Sequence, residues 1–260
     1  MIRYSRLNGV IGAALLLAGC GMNGPPTVAA KSEITVAAAA NLIDVFGRIG
    51  PEFEAETGIH PVFSFASTAQ LTQQIENSAP FDVFSAADSE HIAKLEREKL
   101  LAPGTRALYA LGVLAMWIPP GSKVQVSRLS DLDSPGVRVI AVANPELAPY
   151  GKATIDLLQS RPGWAKVKPK IVYAEDISMA KQYGKSNNAD VVFTAYSLVL
   201  HESGQVIPLP ASGVEQEMAV LAKSPRQSDA RRLEEFLLRG KGRQILTQFG
   251  YRTGPTANSQ

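Results

Sequence analysis

Apolar positions along the chain fall into short unbroken runs, separated by stretches in which they recur every three or four residues. Residues 34–40 form one such run and read as a buried strand. In 42–57, Val45, Phe46, Ile49 and Phe53 recur at helical spacing until Gly58 ends the pattern. The alternation continues with a strand at 61–65, a helix at 69–77, a strand at 81–85 and a helix at 89–99. An extended apolar segment, 107–118, closes on Pro119-Pro120-Gly121. Strands at 137–143, 170–173 and 190–195 then alternate with helices at 152–159 and 177–184. A second extended segment covers 214–223, and a last helix is expected over 228–249, with Leu233, Phe236, Leu237, Ile245 and Leu246 as its apolar stripe. Strand–helix alternation predicts an α/β fold with parallel pairing and crossover helices. The two long extended segments predict crossings between two lobes. Lobe I would comprise 33–110 plus 220–260 and lobe II 111–219, with a ligand cleft between them at the carboxyl ends of the strands.

The first residues follow a different pattern. Arg3 and Arg6 precede an apolar run over 10–18 that ends in Leu17-Ala18-Gly19-Cys20. A basic start, a short apolar core and small residues make a secretory signal peptide, and the run is about half the ~20 residues a spanning helix needs. The ending resembles the bacterial lipobox, in which the cysteine is acylated and becomes the mature N-terminus. Residues 1–20 are therefore expected to be a lipoprotein signal and 21–32, rich in Gly, Pro and Ala, a flexible tether. The alternative is an ordinary signal peptide cut after Ala29 or Ala30, with Cys20 incidental. Cys20 is the sole cysteine, so no internal disulfide can form.

Charge removes several classes of partner. Setting aside Arg3 and Arg6, the 26 basic residues become 24, against 24 acidic ones. A balanced chain argues against nucleic acid or an anionic membrane surface, so any bound anion must be held by local groups. No G-x-S-x-G, Walker A, G-x-G-x-x-G or H-E-x-x-H pattern occurs. His60, His91 and His201 are far apart and read as surface residues. Glu175-Asp176 reads as an acidic pair at a helix start, and the basic stretch 166–170 as a solvated connector. No catalytic or metal-ligating constellation stands out, and the chain does not read as an enzyme.

Four strand-to-helix junctions remain: Ala39-Ala40-Asn41, Ser67-Thr68-Ala69, Pro149-Tyr150-Gly151 and Asp176-Ile177-Ser178. A helix start leaves its first backbone N–H groups unpaired and carries partial positive charge, which suits an anion. Taken singly, Asn41 and Thr68 are ordinary N-cap residues, and Tyr150 could be a loop aromatic packed on the sheet. Together they place two junctions in each expected lobe. A site of N–H and O–H donors has no acceptor for a protonated oxyanion. An unmatched buried proton there would cost about 1–3 kcal/mol, which favours molybdate, tungstate or sulfate over hydrogen phosphate.

Five segments carry a family resemblance: ITVAAAANLIDVF, FSFASTAQLTQQIENSAPFDVFSAAD, VANPELAPYGKAT, AEDISMA and ADVVFTAYSL. Over nearly the whole chain from Ile34 to Tyr251 the sequence resembles the periplasmic molybdate-binding proteins of ABC importers. The resemblance implies a two-lobed type II periplasmic-binding-protein fold that closes on its oxyanion by hinge motion. It implies Ala40, Asn41, Thr68, Tyr150 and Ile177 as the oxyanion-binding residues, with no direct metal ligand and no cofactor. Many relatives carry serine where this chain has Asn41, whose amide is expected to donate in its place. Thr68 keeps a hydroxyl where serine is usual, and Tyr150 and Ile177 would act partly through backbone N–H. Where some relatives place a contacting tyrosine, this chain has Phe193, so either Tyr150 replaces that hydroxyl or one bond is lost. The implied partners are molybdate or tungstate, an ABC permease, and a membrane reached through the lipid on Cys20, with a monomeric protein at the periplasm or cell surface. The rival cargo is sulfate or another tetrahedral anion. The rival classes are a secreted enzyme on the same fold and a lipid-anchored interaction protein.

Overall fold

The structure, a computed structural model, describes residues 32–253. The expected leader with Cys20 lies outside the described residues, as does the expected tether up to residue 31. Ser32, counted with the tether above, already opens the first strand.

The first part of the chain runs β1 (Ser32–Ala39), α1 (Ile43–Thr57), β2 (Ile59–Ala66), α2 (Thr68–Glu76), β3 (Val83–Ala86) and α3 (Glu90–Arg97). A single 3-10 turn, Ala40–Leu42, joins β1 to α1. The long strand β4 (Ala107–Ile118) leads to β5 (Ile140–Ala143), α4 (Pro149–Gln159), α5 (Trp164–Val167), β6 (Ile171–Ala174), α6 (Ile177–Lys185), β7 (Val191–Ala195) and α7 (Tyr196–Val199). A second long strand, β8 (Gln205–Val220), returns to α8 (Gln227–Leu238) and α9 (Lys241–Gln248).

All eight described strands belong to one sheet in the order β2-β1-β3-β8-β4-β7-β5-β6. The parallel pairing expected from the alternation holds at both flanks, within β2-β1-β3 and within β7-β5-β6. Between them β8 and β4 run antiparallel to each other and to their outer neighbours. The two long strands therefore join one flank to the other. Their register slips where Val113 faces Gly213 but the next residue, Leu114, faces Leu209. Three residues of β8 are left over at that point, a bulge of the kind that bends a strand pair.

The flanks are held by helices that bury one apolar face. On α1, Val45, Phe46, Ile49 and Phe53 are fully buried, each worth about 1.5–3 kcal/mol relative to exposure. Phe46 packs on Phe63 of β2 at 5.2 Å between ring centres, and Phe53 on Phe236 of α8 at 5.5 Å. Gly58 ends α1 in the left-handed region, with φ +73°, where a side chain would be strained.

Two expectations are corrected. The single helix expected over 228–249 is two helices that turn at Gly240, which is extended. Gly242 then lets α9 approach the ring of Phe236, where a Cβ would come within 2.6 Å. The strand expected over 214–223 begins at Gln205. Pro208 lies within that earlier part, and proline weakens a strand reading.

The strand-to-helix connections needed for a site lie at the carboxyl ends of β1, β2, β5 and β6, where the chain enters the 3-10 turn, α2, α4 and α6 respectively. At the third, Gly151 brings the start of α4 against the end of β5. A Cβ there would lie 2.2 Å from the carbonyl oxygen of Ala143, so only glycine fits.

Candidate oxyanion-binding site

These four connections converge. Ala39 to Asn41, Ser67 and Thr68, Ala148 to Tyr150, and Asp176 with Ile177 line one cavity, together with Ala87. The space left between them is small, about 10 Å³. Ala40, Asn41, Thr68, Tyr150 and Ile177 are each at most 4% exposed and all border it. The sequence singled out each of these five. Ala87 was missed, although it sits at a fifth strand-to-helix junction, Ala86-Ala87-Asp88-Ser89, of the same form.

The local hydrogen bonding explains what each junction offers. Helix α2 is opened by a capping box. Ser67 Oγ donates to Gln70 Oε1 at 2.6 Å and accepts from Gln70 N, while Ser67 N donates to Gln70 Oε1. The Ser67 hydroxyl is thus committed to the helix. Thr68 differs: its Oγ1 accepts the Ala87 N–H at 3.2 Å, which leaves its own proton to be donated. At α6, Asp176 caps Met179 N at 2.8 Å and Ala180 N reaches Asp176 O at 3.1 Å. The N–H groups of Ile177 and Ser178 precede these bonds and are the open ones of that turn. Helix α4 starts on Pro149, which has no N–H, so Tyr150 supplies its first amide hydrogen.

Among the described residues no lysine, arginine or histidine borders the cavity, and the one charged neighbour there, Asp176, has its carboxylate on the Met179 amide. The surroundings are therefore backbone dipoles and neutral hydroxyls. Burial pushes the Tyr150 hydroxyl well above the ordinary tyrosine range, with Tyr251 and Tyr109 adding to the shift. It stays protonated at neutral pH.

Two side chains at the cavity have surroundings that bear on their expected roles. Asn41 was expected to donate its amide to the ligand. Instead both hydrogens of its Nδ2 are engaged, one by Gln216 Oε1 at 2.8 Å and one by the Tyr251 hydroxyl at 2.9 Å. The backbone N–H of Asn41, in the first turn of the 3-10 helix, has no intrahelical acceptor. The Tyr150 hydroxyl lies against Gly112 of β4, where a Cβ would be 1.9 Å from Oη, and it has no hydrogen-bond partner among the described residues. Phe193, fully buried opposite Met116 in the β4–β7 pairing, does not border the cavity.

Contacts across the cavity hold the flanks together. Ala69 N donates to Leu147 O at 3.2 Å, and Gln70 Nε2 donates to Glu175 Oε1. The nearly buried Lys181 of α6 pairs with Asp44 of α1 at 3.3 Å and with Glu202 at 2.9 Å.

Residues 34–252 match the family described as bacterial extracellular solute-binding proteins. The chain is 31% identical over 232 residues to the molybdate-binding protein ModA of Rhodobacter capsulatus, covering 86% of this chain and 90% of that protein. It is also 31% identical over 254 residues to the molybdate-binding protein ModA of Azotobacter vinelandii, covering 95% and 97%. The chain belongs to the solute-binding family, in its molybdate-binding-protein branch. The solved periplasmic molybdate-binding protein of Azotobacter vinelandii superposes with a TM-score of 0.81 at 26% identity, over 85% of this chain and 99% of that one. The sulfate-binding protein SubI from Mycobacterium tuberculosis H37Rv superposes with a TM-score of 0.72 at 16% identity, over 87% and 88%, a likeness of fold alone. The fold is the two-lobed type II periplasmic-binding-protein fold.

The Thr68 hydroxyl keeps a free proton, and the bond it accepts from the Ala87 N–H fixes its position. Thr68→Ala is expected to weaken oxyanion binding by about 1–3 kcal/mol, read as a rise in Kd by calorimetry. Unchanged affinity would remove Thr68 from the site.

Proposed function

We propose that this protein captures molybdate, and tungstate with it, outside the cytoplasmic membrane and delivers it to the permease of an ABC importer. The observation that carries this reading is the convergence of open helix-start N–H groups at Ala40, Asn41, Thr68, Tyr150 and Ile177, with the Thr68 hydroxyl, on a cavity bordered by no basic side chain. Such a shell meets a fully ionised oxyanion with donors alone and rejects a protonated one. The names of the relatives favour molybdate over sulfate as the cargo.

The protein acts as a binder and catalyses no covalent step. Its lobes are 33–110 plus 220–260 and 111–219, hinged where β4 and β8 slip register. The ion stabilises the closed form by binding both lobes at once, which is the differential affinity that closure requires. We read the protein as a monomer with no cofactor, held to a membrane by acylation of Cys20, with the residues up to 31 as tether. Replacing Cys20 with serine should release the protein from the membrane fraction. Retention of that variant on membranes would sink the anchor.

Calorimetry with molybdate, tungstate and sulfate in turn tests the cargo. Tight binding of the first two with no heat from sulfate is expected. A preference for sulfate would move the protein to the rival cargo, and no heat with any of the three would leave the family fold without this function.

A further inference from the structure

Behind the first junction lies a buried polar cluster of which Asn41 alone borders the cavity. It joins Asn41 to Gln216 of β8, to Tyr251 beyond α9 and to Ser197 of α7, all at most 7% exposed. The members are 156 to 210 residues from Asn41 along the chain.

The hydrogen bonds fix one another in sequence. Gln216 Nε2 donates to the carbonyls of Val214 at 3.0 Å and Glu215 at 3.1 Å, so its Oε1 must face the other way. That oxygen accepts from Asn41 Nδ2. The second hydrogen of Nδ2 goes to the Tyr251 hydroxyl, which donates its own proton to the backbone oxygen of Asn41 at 3.0 Å. Ser197 Oγ lies 3.1 Å from the Tyr251 hydroxyl and 3.3 Å from the same Asn41 oxygen. Every donor of both amides and of Tyr251 is used. Turning either amide over would set oxygen against oxygen and leave buried N–H groups unpaired, so the arrangement has one low-energy form.

We infer that Gln216, Tyr251 and Ser197 are positioning residues for the oxyanion. They commit the Asn41 side chain to the scaffold and, by clamping both its amide and its carbonyl, hold the turn that points the backbone N–H groups of Ala40 and Asn41 into the cavity. A residue pinned at both ends cannot rotate its own N–H away from the ligand. Selectivity at this junction is then a property of backbone geometry, and residues that never touch the anion set its affinity. Ser197 follows β7, whose pairing is with β4 and β5, so the clamp also ties this turn to the opposite flank. The inference rests on the oxyanion reading above.

The test is Tyr251→Phe, with Ser197→Ala as a milder second variant, each titrated with molybdate by calorimetry and melted without ligand. Tyr251→Phe is expected to bind at least tenfold more weakly under conditions where it is fully folded, and Ser197→Ala at least threefold more weakly. A lower melting temperature with unchanged affinity would reduce the cluster to a structural role and overturn the inference. Tighter binding would overturn it too, because it would mean that a freed Asn41 amide donates directly to the ion. If Tyr251→Phe does not fold, Ser197→Ala decides by the same criteria. Silence of the wild-type protein would sink the oxyanion reading, and the inference with it. Wild-type binding matched by both variants sinks the inference alone.

Discussion

An anion taken out of water needs a full shell of donors, and at the proposed site the shell has to come from groups that carry no formal charge. That requirement shapes the molecule. Four turns from strand to helix must bring their first, unpaired N–H groups to one small space, and the turns lie at the ends of strands on opposite flanks of one sheet. Each helix supplies the partial positive charge of its N-terminus. The strands supply the rigid rods that place it. Where a side chain would hold a helix start off its strand, as at Gly151, the position is glycine.

Donors that converge from two flanks also require that the flanks can part and close. Among the described strands only β4 and β8 run between them within the sheet, and their pairing is irregular at two places, near Leu108 and near Val113. Contacts between the flanks are of two kinds. Ala69 with Leu147, Gln70 with Glu175 and Lys181 with Asp44 lie between elements that flank the cleft. The Asn41, Gln216, Tyr251 and Ser197 cluster is deep and fully satisfied. A buried polar group left unpaired costs about 1–3 kcal/mol, so the deep cluster resists rearrangement. Stability and ligand geometry thus meet at Asn41.

Most of the fold was legible because local signals and tertiary need agree. Apolar runs of four to eight residues became strands and the Val45-Phe46-Ile49-Phe53 stripe became α1. The 107–118 segment became β4 with the same bounds. The failures have physical causes. Prolines masked the first part of β8, and an apolar stripe continued across Gly240 disguised a sharp turn between two helices. Four-residue α5 and α7 are too short to leave a period. The junctions at Asn41, Thr68, Tyr150 and Ile177 could be found because a helix start is written in neighbouring residues. The role of the Asn41 side chain could not, because its partners lie 175 and 210 residues away and their amides are oriented by backbone carbonyls that no motif records.

The most direct measurement of the central claim is a crystal structure of the protein with molybdate bound. The four oxygens are expected within hydrogen-bonding distance of the backbone N–H groups of Ala40, Asn41, Thr68, Tyr150 and Ile177 and of the Thr68 hydroxyl, with Asn41 Nδ2 still on Gln216 and Tyr251. An ion seated on lysine or arginine side chains elsewhere, or held by an Asn41 amide swung into the cavity, would contradict it.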